Sequence, residues 1–378
     1  MNLTRRAVIA AAVALSTLSA LELASAQGNE PIKIGVLIAL SGPAAAYGAE
    51  ERRAVEAVVN QVNAQGGIKG RKIELVIRDT KTNPTEAARL ANQVIADDKV
   101  IAIIGATTGS ETLAFADAAM RAQVPMFPMV GTPSVTDPDK PYSKWVYRMS
   151  VPLTTDLPAS MNRMVKDGKK RMAIFSEEDA YGQQGSVMAV ELAKKLGIEV
   201  VENISAPKTA TDLTTQATKI RNAKPDAVLM VTASTGSGGA FLRKLQQVGL
   251  NVPVYGMAGI VQKQIITSGG SAAEMLIAPA LVNPDEPGPL KELFTLMKDS
   301  GGVDGFGAVL GANAAAAVVE GLKSGATTGA QLRDAMEKIG TIKGYAAGPI
   351  KYSPTDHDSW GPDTLFFVTV RDGKFKNL

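Results

Sequence analysis

Residues 100–117 read VIAIIGATTGSETLAFAD. An apolar run ends in a short turn of Gly, Ala and Thr, and a helical pattern opens at Ser110. A buried strand feeding a helix through a tight polar turn is the repeating unit of a parallel sheet, because parallel strands need a crossover to return. The unit recurs upstream. IKIGVLIAL (32–40) predicts a strand and AEERRAVEAVVNQVNAQGG (49–67) a helix with apolar residues three and four apart. KIELVIRDT (72–80) predicts the next strand, and NPTEAARLANQVIADD (83–98) a helix entered through Pro84. Downstream, VPMFPMV (124–130) predicts a fourth strand. The order implies a parallel sheet covered on both faces.

The alternation breaks at GTPSVTDPDKPYSKWVYRMSVP (131–152) and then restarts. RMAIFSE, IEVVENISA, DAVLMVTA, VPVYGMA and MLIAPAL predict strands, interleaved with helices such as YGQQGSVMAVELAKKLG and SGGAFLRKLQQVG. The chain therefore reads as two copies of one architecture, joined near 148–152. The last hundred residues predict helices near 287–300, 305–324 and 328–339, then strands AGPIKYS and TLFFVTVRDGKF. Too few strands remain for a third domain, so these elements are expected to complete the two lobes and to make a hinge of several crossings.

The chain has 378 residues, 45% hydrophobic, with 40 Lys plus Arg against 37 Asp plus Glu. That balance, without a basic cluster, argues against a nucleic-acid partner. The N-terminus MNLTRRAVIAAAVALSTLSALELASAQ has a basic start, a short apolar run and Ala24-Ser25-Ala26. It is expected to be a signal peptide over 1–26, directing the protein to the periplasm or outside the cell. The apolar stretch GAVLGANAAAAVVEGL (307–322) is broken by Gly311 and Asn313 and is expected to be a core helix.

Catalytic and metal chemistry find little material. There is no cysteine and a single histidine, His357, read as a surface-loop residue in SPTDHDSWG. His/Cys metal clusters are thereby excluded, and no cofactor is expected. TASTGSGGAF (232–241) has the context of a dinucleotide turn, but Phe241 stands where the third glycine belongs.

What remains is a set of loops at the carboxyl ends of strands, where open parallel sheets collect ligands. They are SGPAAAYG, ATTGSE and VGTPS in the first half, and EEDAYGQQG, ASTGSGG and MAGIVQ in the second. Each alone is explained by helix capping. Facing one another from two lobes, they make a ligand site. The start of the helix after 104 offers free amides and partial positive charge to a small anion. Hydroxyls of Thr108, Ser110 and Thr132 would add charge-assisted bonds of about 1.5–3 kcal/mol each if buried. These loops carry no Arg or Lys, which favours a carboxylate over a phosphate. Tyr47 and Tyr181 offer flat apolar surface from opposite lobes.

The segments IKIGVLIALSGPAAAYG, VNAQGGIKGRKIELVIRDT, NPTEAARLANQVI, VIAIIGATTGSETLAFAD and EDAYGQQG match, in order and spacing, the leucine/isoleucine/valine-binding family of periplasmic solute receptors. The whole mature chain resembles that family. The resemblance implies a type I periplasmic-binding fold: two Rossmann-like α/β lobes with parallel sheets, joined by a three-crossover hinge. The lobes would be 27–149 with 280–354, and 150–279 with 355–378. It further implies no catalysis, capture of ligand by lobe closure, monomeric action, and an inner-membrane ABC permease as partner. Carried over by position, the first-lobe contacts are Tyr47, Thr108, Gly109, Ser110, Val130, Gly131 and Thr132. The second-lobe contacts are Tyr181, Ser234, Thr235, Met257 and Ala258, with Phe306 added to the walls. Where amino-acid-binding members hold the ligand's ammonium with an acidic residue, this chain has Ala258. A small carboxylate without an α-amine, such as a benzoate or phenylpropenoate, is therefore the expected ligand. Glu177, Glu178 or Asp179 could replace the missing acid, which keeps a branched-chain amino acid as the alternative.

Overall fold

The computed structural model describes residues 30–210, 212–345, 350–358 and 360–378. The leader expected over 1–26, and residues 347–349 of the expected strand AGPIKYS, lie outside the described residues.

The first half forms β1 (Ile32–Ile38), α1 (Ala45–Ala64), β2 (Ile73–Asp79), α2 (Pro84–Ala96), β3 (Ile103–Gly105), α3 (Gly109–Arg121) and β4 (Met126–Phe127). The strands make one parallel sheet in the order β2-β1-β3-β4. Local signals set the helix entries. Asn83 accepts from the Glu86 amide at the start of α2, with Pro84 as first helical residue.

The second half forms α4 (Leu153–Lys166), β5 (Arg171–Glu177), α5 (Ala180–Leu196), β6 (Glu199–Ala206), α6 (Thr214–Ala223), β7 (Ala227–Val231), α7 (Thr235–Gln247), β8 (Val254–Tyr255), α8 (Lys263–Gly269) and β9 (Leu276–Ala280). There follow α9 (Lys291–Met297), α10 (Phe306–Lys323), α11 (Gly329–Ile339), β10 (Thr341–Ile342), β11 (Ile350–Lys351), β12 (Phe366–Arg371) and β13 (Lys374–Asn377). The second sheet runs β13-β12-β9-β8-β7-β5-β6, parallel except at β12, which pairs antiparallel with β9 and β13.

Burial on both faces follows the two-residue period of β5. Met172 and Ile174 join Leu157 and Met161 of α4 and Ala189 of α5. Ala173 and Phe175 join Leu242 and Leu245 of α7, and Phe175 stacks on Phe241 with ring centroids 3.8 Å apart.

Among the described residues the chain passes between lobes from β4 to α4, from β9 to α9, and from β11 to β12. Ala280, placed by the sequence at the start of the return to the first lobe, still pairs with Phe366 in the second sheet, and Asn283 and Asp285 bond to β13. At the first passage the Arg148 side chain is fully buried. Its Nη1 donates to the carbonyls of Val130 (2.7 Å) and Thr132 (3.0 Å), its Nε to Asp358 (2.6 Å), and its backbone N–H to the His357 carbonyl (3.0 Å). This pairing draws His357 inward, contrary to the surface position expected for it. The ring is buried, stacks on Tyr147 with centroids 4.3 Å apart, and has Nδ1 3.0 Å from the Val146 carbonyl.

Helix α10 is long and apolar enough to cross a bilayer, yet it is buried inside the first lobe. It packs against α1 through Gly311, where a Cβ would run into the backbone of Glu51. Glu50 of α1 accepts the amides of Asp304 (2.6 Å) and Gly305 (2.7 Å) just ahead of α10. Gly311→Ala is therefore expected to push α1 and α10 apart and to destabilise the protein by about 1–3 kcal/mol. A lower urea midpoint at unchanged slope is the measurement that checks it.

Candidate ligand site

Helix α3 begins at a capping box. The Thr108 hydroxyl accepts from the Glu111 amide (3.4 Å) and donates to Glu111 Oε2 (2.6 Å), which also accepts the Thr108 amide (3.1 Å). Thr107 is likewise committed: its Oγ1 accepts from the Ala39 amide (3.0 Å) and donates to Glu51 (2.6 Å). Two of the threonines in this loop therefore hold the loop itself. The first-turn amides outside the box are those of Gly109 and Ser110.

Thr132 is different. Its Oγ1 is buried and has no protein partner. It lies against Gly109, where a Cβ would overlap the threonine side chain. Glycine is needed at 109 for this approach, which brings a hydroxyl donor beside the helix start.

These groups line a cavity between the lobes with about 580 Å³ of non-atom space, its solvent mouth included. From the first lobe come Ala44, Tyr47, Thr107, Thr108, Gly109, Met129, Val130, Gly131, Thr132 and Phe306. Ser150, Val151 and Asp156 come from the first passage and the start of α4, and Asp179, Tyr181, Lys208, Ala233, Ser234 and Gly259 from the second lobe. Tyr47 reaches toward Gly259, and Tyr181 lies beside Gly131, so the two phenol rings approach the opposite lobe. Burial pushes the Tyr47 hydroxyl well above the usual tyrosine range, with the nearby Glu51 carboxyl adding to it. It is a neutral group without a protein partner.

Nine of the thirteen residues read from sequence line this cavity: Tyr47, Thr108, Gly109, Val130, Gly131, Thr132, Tyr181, Ser234 and Phe306. Four do not. Ser110 instead accepts from the Ala180 amide across the cleft (3.3 Å). Thr235 donates to Gln264. Met257 is fully buried in the cluster of Leu153, Leu157 and Tyr255. Ala258 opens the short helical turn Ala258–Ile260, which presents Gly259 to the cavity while the Ala258 amide points at Asp156.

Two expectations are corrected here. Lys208 lines the cavity, so the site is not free of cations; it follows β6, whose loop was not among those read as strand-end loops. A carboxyl also reaches the Ala258 turn, where the sequence shows none. Asp156, in the first turn of α4, sets both carboxylate oxygens on the Ala258 amide (2.9 and 3.1 Å) and lines the cavity. Burial pushes its carboxyl up to about 7, against the lowering effect of the Ala258 amide. Of the three acids considered as substitutes, Asp179 lines the cavity and caps α5 by accepting from the Gly182 amide (2.8 Å). Glu177 is buried at the end of β5, and Glu178 is exposed. Among the described residues, no group of three or more acids, histidines or cysteines is arranged to hold a metal.

The lobes touch at the rim of the cavity. Besides the Ser110–Ala180 contact, the Ser134 amide donates to Gln184 Oε1 (3.1 Å) and Gln184 Nε2 donates to the Ser134 hydroxyl (2.8 Å).

Two outcomes are expected. Thr132→Ala removes an unpartnered hydroxyl and should weaken ligand binding with little change in melting temperature, as titration calorimetry and a thermal melt will show. The second concerns pH. Burial pushes Glu50 up to about 7 and Glu51 up to about 8 from an ordinary 4.5, so the folded state keeps protons that the unfolded chain releases. Their contribution to stability is complete below about pH 4.5 and is lost as pH rises through 7 to 8. Glu51→Gln, a stand-in for the protonated side chain, should therefore flatten the fall in melting temperature between about pH 5 and 8.

Comparison with known proteins agrees with this geometry. The family of periplasmic binding proteins matches residues 31–374. The Leu/Ile/Val-binding protein of Escherichia coli K12 is 28% identical over 292 residues, 76% of each chain. Among solved structures, an extracellular ligand-binding receptor from Rhodopseudomonas palustris HaA2 superposes with a TM-score of 0.84 at 25% identity, covering 92% of this chain and 99% of its own. A solute binding protein of an ABC transporter from Rhodopseudomonas palustris BisB5, in complex with 3,4-dihydroxy benzoic acid, gives 0.79 at 26%, covering 92% and 96%. Two α/β lobes with a small-molecule cavity between them, in a chain matched almost end to end, make this protein a member of the periplasmic binding-protein family: a non-catalytic type I solute receptor of ABC importers, related to the Leu/Ile/Val-binding proteins and acting in the periplasm.

Proposed function

We propose that the solute is an α-amino acid with an apolar side chain, of the branched-chain class. The observation that carries this reading is Asp156: a buried carboxylate on the cavity wall, the counter-charge that a buried ammonium requires. It stands in a cavity that also offers the amides of α3 and the free Thr132 hydroxyl to a carboxylate. Ala44, Met129, Val130, Val151 and Phe306 supply apolar wall for a branched side chain. The relatives named for binding leucine, isoleucine and valine support the same class. An aromatic acid is the second reading, favoured by the pair Tyr47 and Tyr181 and by the 3,4-dihydroxy benzoic acid held by the 26% identical receptor.

The receptor acts as a monomer that delivers its solute to an inner-membrane ABC permease. Its lobes divide at these passages, the first carrying β1–β4 with α9–α11 and the second carrying α4 to β9 with β12 and β13. Membership of β9 and β12 in the second sheet supports that division.

The two ligand classes have opposite pH signatures. An ammonium pairs with ionised Asp156, so amino-acid affinity should fall roughly tenfold per unit as pH drops below 7, with a proton released on binding. A benzoate-type anion favours the protonated carboxyl, so its affinity would fall as pH rises through 7. Titration calorimetry in buffers of different ionisation heat separates the two. A thermal-shift screen of leucine, isoleucine and valine against benzoates identifies the class directly, since ligand at a hundred times its Kd adds about 2.7 kcal/mol. Stabilisation by benzoates alone, with affinity falling as pH rises, overturns the amino-acid reading. Asp156→Asn should cost amino-acid binding about 3–5 kcal/mol.

A further inference from the structure

Lys208 is a cationic residue on the cavity wall, and the proposed ammonium site gives it no role. Its side chain is 15% exposed, and its ammonium pairs with Asp179, the cap of α5. The next residue, Ala180, donates its amide to Ser110 in the first turn of α3. Lys208 thus belongs to the place where the starts of two helices from opposite lobes abut, at the same end of the cavity as the amides of Gly109 and Ser110. Burial draws its ammonium toward deprotonation. The Asp179 and Glu177 carboxylates more than offset this, and Glu111 of the first lobe contributes.

We propose that Lys208 and the start of α3 grip the same ligand carboxylate from opposite lobes, so that Lys208 is a specificity-determining residue for an anionic headgroup. The assignment rests on the amino-acid reading above. An ammonium has three donors, and Asp179 leaves others for a second acceptor. A carboxylate between Lys208 and the α3 amides would join the lobes, tying closure to the solute's negative charge. Thr132 Oγ1, buried and unpartnered beside Gly109, adds a donor on the first-lobe side.

The test compares L-leucine with L-leucinamide, which keeps the ammonium and side chain but lacks the negative charge. Wild-type protein should prefer leucine, and Lys208→Met should reduce that preference at least tenfold, whereas Lys208→Arg should keep it. Because Lys208→Met strands Asp179, the double variant Lys208→Met/Asp179→Asn is measured beside it. Asparagine still caps α5, so the double variant should fold, by circular dichroism and melting, and yet share the lost preference. If both variants weaken leucine and leucinamide equally, Lys208 is a structural partner of Asp179 and the assignment fails. If leucine binds wild type and the preference is unchanged in the variants, the assignment fails while the amino-acid reading stands. No leucine binding by wild type overturns both.

Discussion

The guanidinium of Arg148 is the interaction on which the site's geometry rests. It is buried at the first passage between lobes and donates to the carbonyls of Val130 and Thr132 and to Asp358. The strand end that carries Thr132, the passage itself and the third passage near His357 are thereby bound to one planar group. Arginine suits this because its five donors lie in a fixed fork; a lysine would meet one or two of these acceptors and leave the others unpaired. The hinge and the binding wall are consequently one piece of structure. Asp358 remains partly exposed, so the bond to it is moderated by solvent, and the carbonyl contacts carry the positional role.

Around that frame the protein keeps several carboxyls out of water. Glu50 sits ahead of α10, Glu51 beneath Thr107, and Asp156 beneath the Ala258 turn. Each accepts hydrogen bonds from neighbouring protein groups, and burial pushes each upward. They differ in what they face. Glu50 and Glu51 serve the packing of α1 against α10 and against the α3 loop, whereas Asp156 lines the cavity. Chemically similar residues thus divide between holding the wall and meeting the solute.

Much of the fold was legible in the alternation of apolar runs and amphipathic segments, because a parallel sheet imposes that rhythm on sequence. The first-lobe walls were legible too, since strand ends are where ligands collect. Residues whose placement depends on the passages were less so. Asp156 belongs to a helix that follows a passage, with no strand-end loop to mark it. Lys208 lies in PKTATD after β6, a segment without the small hydroxyl pattern of its neighbours. The substitution at Ala258 was read as the loss of an acid, because one-dimensional alignment cannot show that another chain segment delivers a carboxylate to the same turn. His357 is hidden from sequence for a related reason: acidic neighbours suggest solvent, while the pairing of its backbone with Arg148 carries the ring inward.

The two hydrogen bonds between Ser134 and Gln184 join the lobes through residues that do not line the cavity. They oppose opening whatever solute lies inside. Exchange of such bonds for others of different strength would alter residence time, and with it the handover to the permease, while leaving the choice of solute untouched. The receptor's grip and its taste are therefore separable traits, open to independent adjustment by evolution.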